Sequence, residues 1–271
     1  MISSYIKRVK IRKNINFYLK GPAVSIFKRK IPKIKLIKNI KNELRFFDLI
    51  ILGTSLNSNF EYNILKLSKH YNINTISFLD HWVNYSKRFI RKKKKILPKS
   101  IIVGDKIALK LAKQNFKYTK IQYIKNSYLK EFSKKRKKTK NNSILFLSSN
   151  MDSFENFPYS DKYIFKCFLN FIKNSKKFEN IDKIIIRKHP SENIKKYKKF
   201  KMNNIKFKIV FDNNNSLKEC FKNIKFVAGY GSMGLVAAKI FGIKTINLYL
   251  NQKLESNRIP NRYIDINLKI C

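Results

Sequence analysis

Ile184-Ile185-Ile186-Arg187-Lys188-His189-Pro190 and Phe226-Val227-Ala228-Gly229-Tyr230-Gly231-Ser232-Met233-Gly234 are the stretches on which the reading of the fold turns. Each begins as an apolar run that reads as a buried strand. Each stops abruptly in residues suited to an anion: Arg, Lys and His in the first, a Gly-rich turn with Ser in the second. Ligands of open parallel sheets bind outside the carboxyl ends of the strands. Two such ends in one half of a chain point to a phosphate-bearing ligand, and a nucleotide fits best.

Working outward, apolar runs alternate with segments of helical period, the pattern of an α/β architecture. Strands are expected at Asn16–Leu19, Asp48–Leu52, Thr75–Leu79, Ile101–Val103 and Ile121–Ile124. A helix with Asn57 or Ser58 as its cap follows the second of these, and another follows Gly104-Asp105. From Lys130 to Asn142 the chain is almost wholly polar, with Lys134-Lys135-Arg136-Lys137-Lys138 at its centre, and reads as a linker. The pattern then restarts, with strands at Ser143–Leu147, Lys183–Ile186, Phe207–Phe211, Phe226–Ala228 and Lys244–Leu248, the last taken as the final strand. Helices are expected over Lys162–Ile172, Ser216–Phe221 and Ser232–Phe241. The expected architecture is α/β, two Rossmann-like domains facing a cleft. Residues 1–129 form the acceptor side, 130–142 a basic linker and 143–271 the nucleotide side.

The charge is unusual: 61 Lys and Arg against 16 Asp and Glu give a formal net charge of +45. That favours polyanions, acidic glycans and anionic lipid surfaces. Heavy use of Lys, Asn and Ile, all encoded by A/T-rich codons, explains the same excess without any partner. Cys167, Cys220 and Cys271 lack metal-ligand spacing and read as reduced thiols, the first two as small core residues. No run approaches the roughly 18 apolar residues of a membrane span. The basic start, Met1 to Lys13, reads as a solvated lead-in to the first strand, with a position on a membrane surface as the alternative. A cytoplasmic protein is expected, peripheral to the inner membrane if the charge is used there.

At the Gly-rich turn, Gly229 and Gly231 let the backbone approach a ligand, and Ser232 and Met233 open a helix whose N–H groups favour phosphate. A tight turn with Ser232 as a plain N-cap is the competing reading. The glycines fall as G-x-G-x-x-G but lie too late in the chain for the dinucleotide fingerprint, and no acidic residue follows in the usual way to grip a ribose; Glu255, roughly 20 residues on, is the nearest candidate. Pro190 stiffens the loop that aims His189, whose imidazole would bond a phosphate or protonate a leaving oxygen. Arg187 and Lys188 flank it. In the first half, Asp80-His81-Trp82 follows a buried strand and supplies a carboxylate as general base, or simply a turn cap. Gly53-Thr54-Ser55 offers backbone N–H groups to an acceptor or forms a tight turn, and Gly21-Pro22-Ala23 is a similar strand-end turn. Arg91 to Lys95 reads as solvated. Carboxylates are too sparse to suggest a bound divalent metal.

Taken in order, Gly53-Thr54-Ser55, Asp80-His81-Trp82, Arg187-Lys188-His189-Pro190 and Gly231-Ser232-Met233 resemble GT-B-type glycosyltransferases of bacterial surface-polysaccharide biosynthesis. The His-Pro pair followed by a Ser-bearing turn is similar to the signatures of sialyl- and polysialyltransferases. Teichoic-acid glycerophosphotransferases look alike at this level. The resemblance implies a metal-independent transfer of a sugar or glycerophosphate-like group from a nucleotide-activated donor, with no further cofactor. The acceptor would be a surface polysaccharide or glycolipid. It places the donor phosphate on His189 and on Gly231-Ser232, and the base at Asp80, while Gly53, Thr54, Ser55, His81 and Trp82 face the acceptor. The Asp/Glu-Asp/Glu-Gly motif of the sialyltransferases is absent from the N-terminal half. The alternatives are a nucleotide-sugar epimerase or hydrolase on the same fold, and a basic nucleic-acid-binding protein.

Overall fold

The structure, a computed structural model, describes residues 1–9, 14–31, 33–56, 58–133, 141–153, 159–192, 197, 206–214, 216–249 and 259–269. Most of the expected linker, and with it Asn57, Glu255 and Cys271, lies outside the described residues. The chain divides into two compact units, Met1–Lys130 and Glu131–Cys271.

Unit 1 is built on four parallel strands in chain order: β1 (Leu49–Leu52), β2 (Asn74–Leu79), β3 (Ser100–Val103) and β4 (Lys120–Tyr123). All four residues of β3 are buried, as an inner strand covered on both faces must be. Parallel neighbours need crossovers. Helix α3 (Phe60–His70) makes the first, burying Tyr62, Ile64, Leu65 and Ser68 on one stripe. Helix α4 (Lys106–Asn115) makes the last, capped by Asp105, whose Oδ1 accepts from the amides of Ile107 at 2.8 Å and Ala108 at 2.9 Å.

The N-terminal 47 residues depart from expectation. No strand forms at Asn16–Leu19; Phe17 makes only an isolated parallel bridge to Leu36. Helix α1 (Ile2–Val9) replaces the solvated lead-in. Its Ser3, Ser4 and Ile6 are buried, and the Tyr5 ring lies 5.2 Å from that of Phe78 in β2. Ile2, Tyr5 and Ile6 already had helical spacing, and the high Lys and Arg content masked it. Gly21-Pro22-Ala23 is a helix start, not a strand-end turn. Gly21 has φ +57° and Pro22 opens helix α2 (Pro22–Lys30), where its missing N–H costs nothing.

Unit 2 carries six parallel strands: β5 (Ser143–Leu147), β6 (Lys183–Arg187), β7 (Lys208–Phe211), β8 (Phe226–Gly229), β9 (Lys244–Tyr249) and β10 (Ile266–Lys269). Their spatial order is β10-β9-β8-β5-β6-β7. The chain winds outward from β5 through β7, then returns to the other side of β5 and winds out through β10. The direction reverses between β5 and β8, which is the switch point of a doubly wound sheet. β10 was not expected, because it is an edge strand with only Leu268 buried and no apolar run. It is anchored by Asp265, whose Oδ2 accepts from Thr245 N at 2.9 Å and which pairs with Lys239 of helix α6 (Met233–Ile240).

Helix α5 (Asp161–Asn174) covers the other face with Ile164, Phe165, Phe168, Leu169 and Ile172. The Phe146 ring in β5 packs 4.7 Å from Phe165 and 5.2 Å from Phe168. Fully burying each of these rings contributes about 1.5–3 kcal/mol. The strand ends of unit 2 thus stand on a rigid floor.

Candidate functional site

At the switch point of unit 2, three glycines do different work. A Cβ on Gly229 would meet the Leu147 carbonyl oxygen at 3.1 Å and Leu147 Cβ at 3.2 Å, so the bare residue lets the ends of β8 and β5 approach. Gly231 has φ +55°, in the left-handed region that glycine enters without strain. A Cβ on Gly234 would overlap Leu147 Cδ1, so its absence leaves room for that side chain under α6. Ser232 opens α6 with extended backbone, and its Oγ accepts from Gly234 N at 3.2 Å. Met233 is the first helical residue and is half-buried. The Ser232 cap of the competing reading is therefore present, at a helix N-terminus on the switch point. Ser149 Oγ donates to Tyr230 O at 2.8 Å and ties the loop after β5 to this turn.

The end of β6 divides its basic residues. Arg187 Nη1 bonds the Asp212 carboxylate, the Asn214 carbonyl at 3.1 Å and Cys220 Sγ at 3.1 Å. This nitrogen fixes the edge of the sheet, a role different from the expected one of donor ligand. Burial pushes the Cys220 thiol up to about 12, so it stays protonated within the cluster. Burial also works to raise Asp212, yet bonds from Cys220 and Asn214 and the Arg187 charge hold it below the ordinary range. Lys188 Nζ donates to the Glu192 carbonyl at 3.0 Å.

His189 is exposed, on a turn closed by Glu192 N to His189 O at 2.9 Å, with Pro190 as the first central residue. Its Nδ1 lies 2.6 Å from Ser191 Oγ and accepts from Ser191 N at 3.3 Å. With Nδ1 accepting, the neutral ring carries its proton on Nε2. Beneath it, Glu192 is only 6% exposed. One carboxylate oxygen accepts from His189 N at 2.8 Å and the other from Ser148 Oγ at 2.7 Å, and Ser148 Oγ also lies 2.7 Å from Tyr197 OH. This clamp joins the end of β5 to the His189 turn. β5 lies between β6 and β8, so the strand ends that lead to His189 and Ser232 are two strand spacings apart, roughly 10 Å, at the same end of one sheet.

Unit 1 gathers a second set at the ends of β1 and β2. Thr54 Oγ1 donates to Phe78 O at 3.1 Å, and Arg88 Nη1 donates to Thr54 O at 3.0 Å. Arg91 Nη2 donates to Ser55 O at 3.0 Å and Ser58 O at 2.8 Å. Arg91 is therefore a clamp on the loop after β1, a correction to its reading as solvated; Lys92 to Lys95 are exposed as expected. Trp82 is buried and its Nε1 donates to Asp105 Oδ2 at 2.9 Å, with the His81 ring edge-on at 5.6 Å. Trp82 is thus a packing residue. The Asp80 side chain is 56% exposed, with Oδ1 3.6 Å from Arg88 Nη1.

A hollow opens here between Gly53, Thr54, Ser55, Glu61, Ser77 and Arg88. Glu61 Oε2 and Ser77 Oγ are buried in it without a hydrogen-bond partner. Burial raises the Glu61 carboxyl above its ordinary value; its own amide and the Arg91 charge oppose this, and the Asp80 charge adds to it. Neither residue stood out in the sequence. The signal was available for Glu61: one of 16 acidic residues, in the first turn of the helix after a strand-end glycine.

No protein-family model matches the chain, and no curated protein matches it. Solved structures do. S. aureus MnaA, in a co-structure with UDP, superposes with a TM-score of 0.59 at 11% identity, covering 91% of this chain and 74% of that one. The glycotransferase of kitacinnamycin gives 0.52 at 8% identity over 98% and 81%. At such identities the likeness is one of fold: Rossmann-like α/β units with parallel sheets.

Proposed function

We propose that the protein is a transferase that moves a sugar, or a glycerophosphate-like group, from a nucleotide-activated donor to a surface polysaccharide or glycolipid acceptor. The observation that supports this most is the switch point of unit 2, where Gly231, Ser232 and the N-terminus of α6 share one sheet end with His189. Two fold neighbours are consistent with it, one solved with UDP and one named a glycotransferase.

In this reading the N-terminus of α6 and Ser232 Oγ hold the donor phosphate, because the helix dipole favours negative charge there. His189 donates from Nε2 to the same phosphate, and its bond strengthens as charge develops on the departing group. Glu192 keeps the His189 turn against β5, so the imidazole is positioned before the donor arrives. The reading invokes no metal. The acceptor hydroxyl must lose a proton, and unit 1 offers carboxylates at its strand ends, of which the sequence singled out Asp80.

The test is a thermal-shift screen of the full chain against CMP-, UDP-, GDP- and CDP-linked donors, repeated with His189→Ala. One nucleotide class should stabilise the wild type, and the variant should lose at least about tenfold in affinity, the equivalent of one charge-assisted hydrogen bond. Stabilisation by none of the four classes would reject the reading.

A further inference from the structure

We infer that the loop after β5, Ser148-Ser149-Asn150, is the positioning element of the donor site. Its three side chains hold the two anion-suited turns at one spacing, and Asn150 acts through Ser191 to keep the His189 proton on Nε2. This rests on the transferase reading above and deepens its donor half, within unit 2 alone.

The register of the strands places this loop between the two turns. Leu147 pairs with Arg187 on one side and with Gly229 on the other, so β6, β5 and β8 end level. Ser148 N donates to Arg187 O at 3.0 Å and carries the pairing one residue further. Three consecutive side chains then reach to the flanking turns. Ser148 Oγ donates to Glu192 Oε1 at 2.7 Å, under the His189 turn. Ser149 Oγ donates to Tyr230 O at 2.8 Å, one residue before Gly231. Asn150 Nδ2 donates to Ser191 Oγ at 2.9 Å, on the His189 turn. Ser and Asn in loops commonly bond backbone a few residues away. These three bond residues 41 to 81 positions distant, two on one turn and one on the other.

The direction of the hydrogen bonds fixes the ring. An amide NH2 only donates, so Ser191 Oγ accepts from Asn150 and has its own proton to give. His189 Nδ1 lies 2.6 Å from that oxygen. Ser191 N also donates to Nδ1, from 3.3 Å. Two donors on Nδ1 make it the unprotonated nitrogen of the neutral ring and leave the proton on Nε2, the tautomer in which Nε2 donates to a phosphate oxygen. Asn150 has φ +53°, in the left-handed region that Asn enters more readily than most residues with a side chain.

Burial separates the bonds by what they do. Ser148 and Glu192 are 5% and 6% exposed, so their bond also belongs to the core. Ser149 and Asn150 are half-buried and Ser191 is exposed. Side chains in such places change stability little, and their bonds act on where the turns stand. A phosphate held from two turns needs that spacing, since a displacement of about 1 Å costs up to about 100-fold.

The experiment uses the full chain with histidine labelled in heavy nitrogen, free of ligand, at about pH 8.5, above the ordinary imidazole titration. Two-bond proton–nitrogen correlation spectra report which ring nitrogen holds the proton, and His189→Ala identifies the His189 signals among the three histidines. The wild type should hold the proton on Nε2. Ser191→Ala and Asn150→Gly should move the Nδ1 signal, and Ser191→Thr should restore it; Asn150→Gly removes the amide while keeping the left-handed backbone. Affinity is then measured for whichever of UDP-, CMP-, GDP- or CDP-linked sugars stabilises the wild type. It should fall about five- to tenfold in Ser149→Ala, Asn150→Gly and Ser191→Ala, with melting temperatures within about 2 °C of wild type. Ser149→Thr and Ser191→Thr keep the hydroxyl and should bind within about twofold of wild type. Three results overturn the assignment even where donors bind. They are a wild-type proton on Nδ1, an Nδ1 signal unmoved in both Ser191→Ala and Asn150→Gly, and an affinity loss that is absent or comes only with a fall in melting temperature. If no donor binds the wild type, the transferase reading fails, and the nitrogen spectra still decide whether Asn150 and Ser191 set the tautomer.

Discussion

Ser232 accepts from the Gly234 amide and also stands where the donor phosphate is proposed to sit, so one substitution can separate the two roles. Ser232→Asp keeps a capping oxygen, and stability should change by less than about 0.5 kcal/mol. The added charge repels phosphate, so nucleotide affinity should fall at least about tenfold, read by denaturation and thermal shift together. Gly231→Ala has the opposite profile, because a Cβ at φ +55° costs about 1–2 kcal/mol whatever binds nearby. Glu61 gives a sign test of its own. Its folded carboxyl is raised above the ordinary value, so the folded state holds that proton more tightly than the unfolded one. Stability is therefore lost as pH rises past the ordinary value of 4.5. Glu61→Gln should consequently raise the melting temperature of unit 1 at neutral pH, and a fall would show that the carboxylate is structurally needed. The sequence signal for Glu61, a scarce acidic residue in a helix's first turn, did not set it apart from ordinary N-terminal chemistry. What distinguishes it is the lack of a partner for Oε2.

At the scale of elements, β6 and β10 are held by acidic residues that work in the other direction. Asp212 and Asp265 have folded values below the ordinary 3.8, so each contributes stability above that pH and loses it as pH falls below. Acid unfolding monitored over roughly pH 2–4, the range of carboxylate titration, should be less steep in Asp212→Asn and Asp265→Asn. The strands of unit 2 from Ser143 to Tyr249 were legible because parallel strands buried on both faces read as unbroken apolar runs. β10 was not, since its pairing rests on Asp265 and backbone bonds to β9, and its pattern buries one residue in four. The end of β6 was read from its residue types as suited to an anion. Which of its residues remained available could not be read, because the partner of Arg187, Asp212, lies just past the carboxyl end of β7, 25 positions away.

For the whole molecule, the +45 charge and the strand-end sites make separable predictions. Binding of RNA or heparin through the basic surface should weaken by about 10³-fold or more between 50 and 200 mM salt, because many counterions are released. Donor binding neutralises one small phosphate group and should change by less than about tenfold over the same range. Equal salt slopes would assign both to the surface and return the basic nucleic-acid-binding reading. Among the described residues, no helix is long and apolar enough to cross a membrane. The alternation of apolar runs with helical periods determined, by itself, an α/β protein with anion-suited strand ends, since local pattern encodes which residues are buried and in what element. Only the tertiary structure decided the β10-β9-β8-β5-β6-β7 order that sets the switch point, the Glu192 clamp under His189, and the meeting of Gly53, Glu61 and Ser77 around one hollow. The reason is that a polar atom's partner, or its lack of one, depends on which distant segments pack together, and no local spacing records that.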